Sequence, residues 1–400
     1  MNKNDGLGLK LAVLSMCCLN LTSMIISPTL PGVTREFPNV SITWIQNLTV
    51  TSSLTAIISA QASGFIMRYF SKRRLAIGSF ILYLVTGLSI LFVKHFTTML
   101  FLRCLNGFAL GLNSTLSTTL IAEFFSGEER KRVMGYRMPF QNMTAMIFSA
   151  SSGILAECFG WRFSYLLFLT ALFPLTMGVA HLPLVKPSCA RANGNEEKAF
   201  GYKEFFRDCK GVVLLCLVHA MAVLATGINS TNVALLVSEK GFGDSGLGGG
   251  VTAIYLLFAS LAGILFGRIN RRLEKKLYPL ACLLTALGLI LTAVCRSVAV
   301  LIAAESLIGF WWSTFMARMN VTLACVSDGR TRDVIFSFFM ATMNLGTFLN
   351  PYVSTTVTEI AGKSGASSRI MVGAVIMAFT CVITYLINGR GKEKIQGMTF

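Results

Sequence analysis

Residues 101–108 read Phe-Leu-Arg-Cys-Leu-Asn-Gly-Phe, and residues 303–310 read Ala-Ala-Glu-Ser-Leu-Ile-Gly-Phe. An offset of 202 residues places Gly107 on Gly309 and Phe108 on Phe310, and sets Arg103 against an acid, Glu305. The same offset brings Asn142 onto Asn344 and Glu157 onto Glu359, so one spacing holds across two apolar segments. A repeat of that length divides the chain into two similar halves, with a charge reversed between them.

Composition says which solvent those halves need. Of 400 residues, 54% are hydrophobic and only 13% charged, more apolar surface than a water-soluble fold hides. A membrane-spanning helix takes about 20 apolar residues to cross a hydrocarbon layer of roughly 30 Å. Twelve segments meet that length: 11–31, 44–67, 75–93, 98–121, 134–156, 163–182, 211–237, 247–267, 278–295, 298–326, 334–358 and 370–388. The first follows Lys3 and Lys10 but runs past the length of a secretory core. It lacks a small-residue cleavage pattern and closes on Pro28-Thr29-Leu30-Pro31, so it reads as a span that ends at the prolines. The fold expected is all-α, with twelve transmembrane helices in two pseudo-symmetric six-helix bundles.

Lysine and arginine orient the spans. With the N-terminus inside, the inner segments carry 25 of them and the outer loops seven, which puts both termini in the cytoplasm. The net charge of +17 is then mostly a topology signal that faces anionic headgroups, and not a nucleic-acid footprint. The one long inner connection separates an N-terminal bundle, 1–182, from a C-terminal bundle, 211–400. Within this linker, 183–210, Phe200, Phe205 and Phe206 alternate with Lys203, Arg207 and Lys210, a short basic amphipathic stretch suited to the inner membrane surface. Eleven cysteines sit mostly inside spans without a Cys-x-x-Cys pair or metal-ligand spacing, and read as packing residues. There is no phosphate-binding loop, no His-Glu-x-x-His and no nucleophile elbow, so the sequence implies neither an enzyme nor a cofactor or metal.

A second recurrence lies at the inner ends of spans two and eight. Gly64-Phe-Ile-Met-Arg68-Tyr-Phe-Ser71-Lys72-Arg73 answers Gly263-Ile-Leu-Phe-Gly267-Arg268-Ile-Asn270-Arg271-Arg272. Glycine, three residues, a turn and paired basic residues resemble the signature loop of the major facilitator superfamily. Arg103-Cys-Leu-Asn106-Gly107 resembles that superfamily's span-four arginine motif, and Gly160-Trp161-Arg162 its outer-loop signature. The resemblance covers essentially the whole chain and implies alternating-access transport by a fold of two bundles. It makes Gly64, Arg68, Lys72, Arg73, Gly263, Gly267, Arg268 and Arg271 the gating loops. Three departures stand out. The family's loop aspartate is replaced by Arg68 in one half and Gly267 in the other. Span five keeps small residues but not the exporters' glycine-proline signature. Span one carries Asn20 where many drug exporters of the superfamily carry an acid.

Ionisable residues inside the hydrocarbon are costly and therefore candidates for function. They are Arg103, Arg137, His219, Glu305 and Arg318. Glu305 is the carboxylate well inside a span, and a carboxyl whose surroundings change between states can take and release a proton. It is the expected proton-coupling residue, with Arg103 as a possible counter-charge and His219 as a second titrating group; a structural ion pair or snorkelling to the outer interface is the alternative for the first two. Arg137 reads as reaching the inner interface. The resemblance places substrate between spans one, four, seven and ten. That makes Arg318 a candidate for bidentate recognition of a carboxylate or phosphate, with Trp311 and Trp312 as an apolar wall and Asn20, Asn106, Asn113, Asn229, Asn232 and Asn320 as polar lining. Interhelical hydrogen bonding is the alternative for the asparagines. The expected function is proton-coupled transport of a small organic molecule by a monomer among plasma-membrane lipids, with export of amphipathic compounds ahead of uptake of an organic anion. A non-transporting receptor is the remote alternative.

Overall fold

The computed structural model describes residues 3–18, 23–125, 127–182, 206–207, 209–273, 276–326 and 331–390, and all regular structure among them is helical. Asn20 lies outside the described residues, as do Phe200, Lys203 and Phe205 of the amphipathic linker; Arg68 and Arg137 are described for their backbone alone. The helices are α1 Lys3–Cys18, α2 Ser23–Ile26, α3 Leu30–Glu36, α4 Ile42–Tyr69, α5 Lys72–Ser89, α6 Phe96–Phe124, α7 Gly127–Phe159, α8 Leu172–His181, α9 Lys210–Glu239, α10 Ser245–Leu273, α11 Leu277–Val294, α12 Val298–Val326, α13 Arg332–Ile360 and α14 Ala366–Arg390. A 3-10 stretch, Trp161–Ala171, leads into α8.

Among the described residues, seven helical segments, Trp161–His181, Lys210–Glu239, Ser245–Leu273, Leu277–Val294, Val298–Val326, Val334–Ile360 and Ala366–Ile387, are long and apolar enough to cross a membrane. The N-terminal helices are long but more polar. α4 has 28 residues, about 42 Å of helix, and turns Gln46, Asn47, Ser52, Ser59 and Ser63 inward; α6 buries Arg103, Asn106, Asn113 and Ser117. Polar residues that serve helix contacts lower the hydropathy of a span without shortening it. The chain is an integral, multi-pass membrane protein.

The chain ran helical past the point where its first span was expected to end. The 3-10 turn Ser27–Thr29 and α3 each carry a proline in the first turn, Pro28 and Pro31, where no intrahelical N–H is needed. Helical backbone therefore continues to Glu36.

Two compact units result, Met1–Asn195 with Gly243–Gly250, and Glu196–Phe242 with Val251–Phe400. In the first, Gly160 adopts φ +95°, a conformation that excludes side chains, and starts the 3-10 stretch with Trp161 and Arg162 aimed at α3 and the end of α5. Arg162 Nη1 donates to Ile90 O at 3.3 Å and Val93 O at 2.5 Å, Arg162 Nη2 to Glu36 Oε1 at 2.6 Å, and Trp161 Nε1 to Glu36 Oε2 at 2.8 Å. A cation on the carbonyls just past the end of α5 also complements the helix dipole. Partial burial pushes the Glu36 carboxyl up, but the hydrogen bonds from Arg162 and Trp161 and the Arg162 charge outweigh it and hold the group below the usual carboxylate range. A depressed folded-state pKa contributes stability that is present above the unfolded value and lost as pH falls through the folded one. Thermal unfolding between about pH 3 and pH 7 should show Glu36→Gln less stable at neutral pH by under about 1 kcal/mol, with a flatter acid limb than the parent. An unchanged acid limb would show that Glu36 does not contribute.

The signature loop of this unit is also engaged. Ser71 Oγ accepts from Arg74 N and caps α5, Lys72 Nζ donates to Glu123 Oε2 at 2.5 Å at the end of α6, and Arg73 Nη2 donates to Val179 O at 2.5 Å near the end of α8. Its counterpart in the second unit is more open: Arg268 and Arg271 are exposed, and Gly263 and Gly267 have empty space where a Cβ would stand.

Candidate functional site

Glu305 stands two turns into α12, and its side chain is almost wholly buried, with 2% of the residue exposed. Asn229 Nδ2 of α9 donates to Glu305 Oε1 at 2.8 Å, and Thr292 Oγ1 of α11 donates to the same oxygen at 3.5 Å. Both partners are neutral, and no basic side chain among the described residues pairs with the acid. Such a carboxyl changes charge without breaking a salt bridge, and its amide and hydroxyl neighbours can serve it in either protonation state.

Its counterpart in the repeat is held in the same manner by other groups. Arg103, fully buried, donates through Nε to Leu48 O at 2.7 Å, through Nη2 to Ser52 Oγ at 3.0 Å and through Nη1 to Asn106 Oδ1 at 3.0 Å. Asn106 Nδ2 passes the link on to Tyr83 O and Thr86 Oγ1, both at 3.3 Å. The Arg103–Asn106 pair thus ties α4, α5 and α6 together inside the first unit, and Glu305 ties α9, α11 and α12 inside the second. Asn113 Nδ2 donates to Met16 O of α1 at 2.8 Å, the interhelical role open to asparagines in spans.

His219 is fully buried in an aromatic cluster of α9, α12 and α13. Its ring stacks on Trp312 and Phe315 at 6.3 Å between centroids and tilts on Phe339 at 4.4 Å, while Nε2 meets Met316 Sδ at 3.0 Å. Nδ1 has no hydrogen-bond partner. Trp311 packs edge-on to Phe310 at 5.4 Å; successive helical residues diverge by about 100°, so only Trp312 joins the cluster. Arg318 Nη1 donates to Asn270 Oδ1 at 2.9 Å and its guanidinium lies 6.0 Å from the Tyr278 ring, with Nε unpartnered. Asn320 Nδ2 turns back to Met316 O on its own helix at 2.9 Å.

The remaining candidate asparagine opens onto residues that hydropathy reading passed over. Asn232 Oδ1 accepts from Arg369 Nη1 at 3.2 Å, and Asn232 Nδ2 donates to Ile228 O at 2.9 Å and to Thr231 Oγ1 at 3.2 Å. Arg369, one of the seven basic residues assigned to the outer side, lies in the first turn of α14 with 8% exposed. Thr292, Thr231 and Asn350 were missed because hydroxyls and amides in a span carry no charge signal; Asn350 stands next to Pro351, and that dipeptide is the signal that could have flagged it.

The sequence matches the family model described as Major Facilitator Superfamily over residues 12–247 and 215–398. No curated protein sequence matches it. Among solved structures, the crystal structure of a D-xylose-proton symporter superposes with a TM-score of 0.74 over 95% of this chain and 97% of that one, at 15% identity. The inward-open xylose transporter XylE from E. coli gives 0.71 over 95% of each chain, at 16% identity. At such identity the likeness is one of fold.

Proposed function

Because this chain belongs to the major facilitator superfamily, we propose that it is a proton-coupled secondary transporter taking up a small organic solute by alternating access, with Glu305 as the protonation site. The observation that supports this most is the buried Glu305 carboxyl met by Asn229 and Thr292 and by no cation. In this reading twelve spans run with both termini in the cytoplasm of a plasma-membrane monomer. The bundles 1–182 and 211–400, joined by the linker 183–210, give the solute access to each side of the membrane in turn. The loops around Lys72–Arg73 and Arg268–Arg271 gate the inner side, Arg103 organises its own bundle, and His219, Trp312 and the lining asparagines border the solute path. Uptake is preferred over export, because the two similar structures are those of a D-xylose-proton symporter and a xylose transporter, and span five lacks the exporters' glycine-proline signature.

Purified protein in liposomes, given a pH gradient and screened against pentoses, organic anions, cations and neutral amphiphiles, tests this directly. Solute accumulation on the alkaline side that collapses with a protonophore supports symport. Accumulation on the acidic side would establish antiport and so export, and accumulation indifferent to the gradient would remove proton coupling.

The unpartnered Nε of Arg318 favours an anionic solute as a second reading, since guanidinium recognises carboxylates through paired donors. If the solute is an anion, Arg318→Lys should weaken its binding by about tenfold, equivalent to about 1.4 kcal/mol, and Arg318→Ala by more, as read by equilibrium binding. Binding unchanged in both variants would leave Arg318 with a structural role beside Asn270.

A further inference from the structure

A polar chain runs through the second unit from its α14 end across α9 to α13. Arg369 Nη1 donates to Asn232 Oδ1 at 3.2 Å, Asn232 Nδ2 to Thr231 Oγ1 at 3.2 Å, and Thr231 Oγ1 to Asn350 Oδ1 at 3.0 Å. Asn350 Nδ2 then donates to Thr347 O at 2.7 Å. That carbonyl would ordinarily receive the N–H four residues on, but position 351 is proline inside α13, which has none to give. The chain therefore ends by satisfying the acceptor the proline frees. A Cβ on Gly227 would approach Asn350 Nδ2 to 2.8 Å, so glycine is what lets α9 come close enough to α13 for this contact. At the other end Glu239 Oε2 of α9 accepts from Ala366 N at 2.7 Å, which fastens α9 to the start of α14. Asn229, the partner of Glu305, lies on the same helix less than one turn before Asn232. A helix held at Asn232 and Thr231 has its rotation fixed, and with it the direction of the Asn229 amide.

We propose that Arg369 is a positioning residue for the protonation site: through Asn232 and the Thr231–Asn350 link it sets the rotation of α9 that presents Asn229 to Glu305. The inference rests on the reading of Glu305 as the group that takes the proton. Other titratable groups facing Glu305 are Tyr255 of α10 and Cys295 beyond α11; those facing Arg369 are Glu239 of α9 and Glu359 of α13. Of these four, Glu239 also lies on α9, but almost three turns beyond Asn229, whereas Asn232 lies within one turn of it. Arg369 also uses its buried guanidinium incompletely, with Nε unpartnered, as a side chain held for one directed bond would.

Infrared titration of the purified protein tests this apart from transport. The carboxyl band of Glu305, assigned by its loss in Glu305→Gln, reports protonation whether or not that protonation drives solute movement. Asn232→Leu and Arg369→Met should each raise the pH midpoint of that band by about half a unit or more, because the ionised acid loses the Asn229 amide. Arg369→Lys, which keeps the charge but not the planar fork, should shift it likewise. Combined with Asn229→Ala, either change should add little further shift, as expected of residues acting through one contact. A midpoint that moves in Arg369→Met but not in Asn232→Leu or Arg369→Lys would assign the effect to direct electrostatics and overturn the proposal. So would no movement in any variant, with folding verified by unchanged thermal unfolding of Arg369→Lys. If Glu305→Gln retains proton-driven accumulation while the shifts occur, the coupling assignment fails and the positioning role stands.

Discussion

Glu305→Gln should abolish gradient-driven accumulation of solute in liposomes while leaving solute counterflow. The substitution conserves shape and keeps an oxygen for the Asn229 amide, which donates to Glu305 Oε1 at 2.8 Å in the parent, so the tie between α9 and α12 survives. What disappears is the capacity to change charge. Each unit of pH gradient supplies about 1.4 kcal/mol per proton, enough for about tenfold accumulation with one proton per solute. The variant should reach a concentration ratio of about one at any gradient, since a site that binds no proton has no differential affinity through which the gradient can act. Counterflow needs only reorientation of the loaded carrier and should persist. A variant that still accumulates solute with the gradient would move the coupling elsewhere, with His219 next because its Nδ1 is buried and unpartnered. Loss of counterflow together with accumulation would instead show that Glu305 holds the bundle together.

The repeat told more about this site than composition did. Gly107 and Gly309 were legible as equivalents, and each lies where its helix meets the backbone of another, α4 for Gly107 and α10 for Gly309. The exchange of Arg103 for Glu305 was legible too, because charge in an apolar run is conspicuous. The partners were not. Leu48 O, a backbone acceptor, carries no sequence signal, Ser52 and Thr292 are polar residues of the sort that fill any helical bundle, and Asn229 was legible as a candidate but not as the partner of Glu305. A reading by charge therefore looked for a counter-charge, whereas each ion is satisfied by dipoles of its own unit. The burial of Arg369 was not legible for a related reason: counting basic residues by loops says nothing of their partners, and burial at 8% exposure against Asn232 comes from tertiary packing that no window of sequence contains.

Gly107→Val should be among the most destabilising single substitutions in the first unit, and Gly309→Val in the second. An added Cβ at Gly107 falls well inside contact distance of Ser52 O and Thr55 Oγ1, and 2.6 Å from Ser52 Cα. At Gly309 it overlaps Tyr255 O and lies 2.9 Å from Tyr255 C. Apart from the Thr55 hydroxyl these are backbone atoms of a neighbouring helix and cannot swing aside, so the helices must separate. Separation at Gly107 also draws Arg103, one turn earlier on α6, away from Leu48 O and Ser52, which it reaches at 2.7 Å and 3.0 Å only because the backbones approach so closely. Overpacking and a weakened buried charge then act together, at about 3 kcal/mol or more. Gly107→Ala should already show most of the loss, since the first carbon makes the clash. Gly78→Ala is the control: nothing lies within 4 Å of the added carbon, and helix propensity should leave it neutral or better by up to about 1 kcal/mol. Thermal unfolding of the four variants in detergent separates the cases. Equal stability for Gly107→Ala and Gly78→Ala would mean that the α4–α6 crossing yields without cost, and that the glycines of the repeat mark ancestry alone.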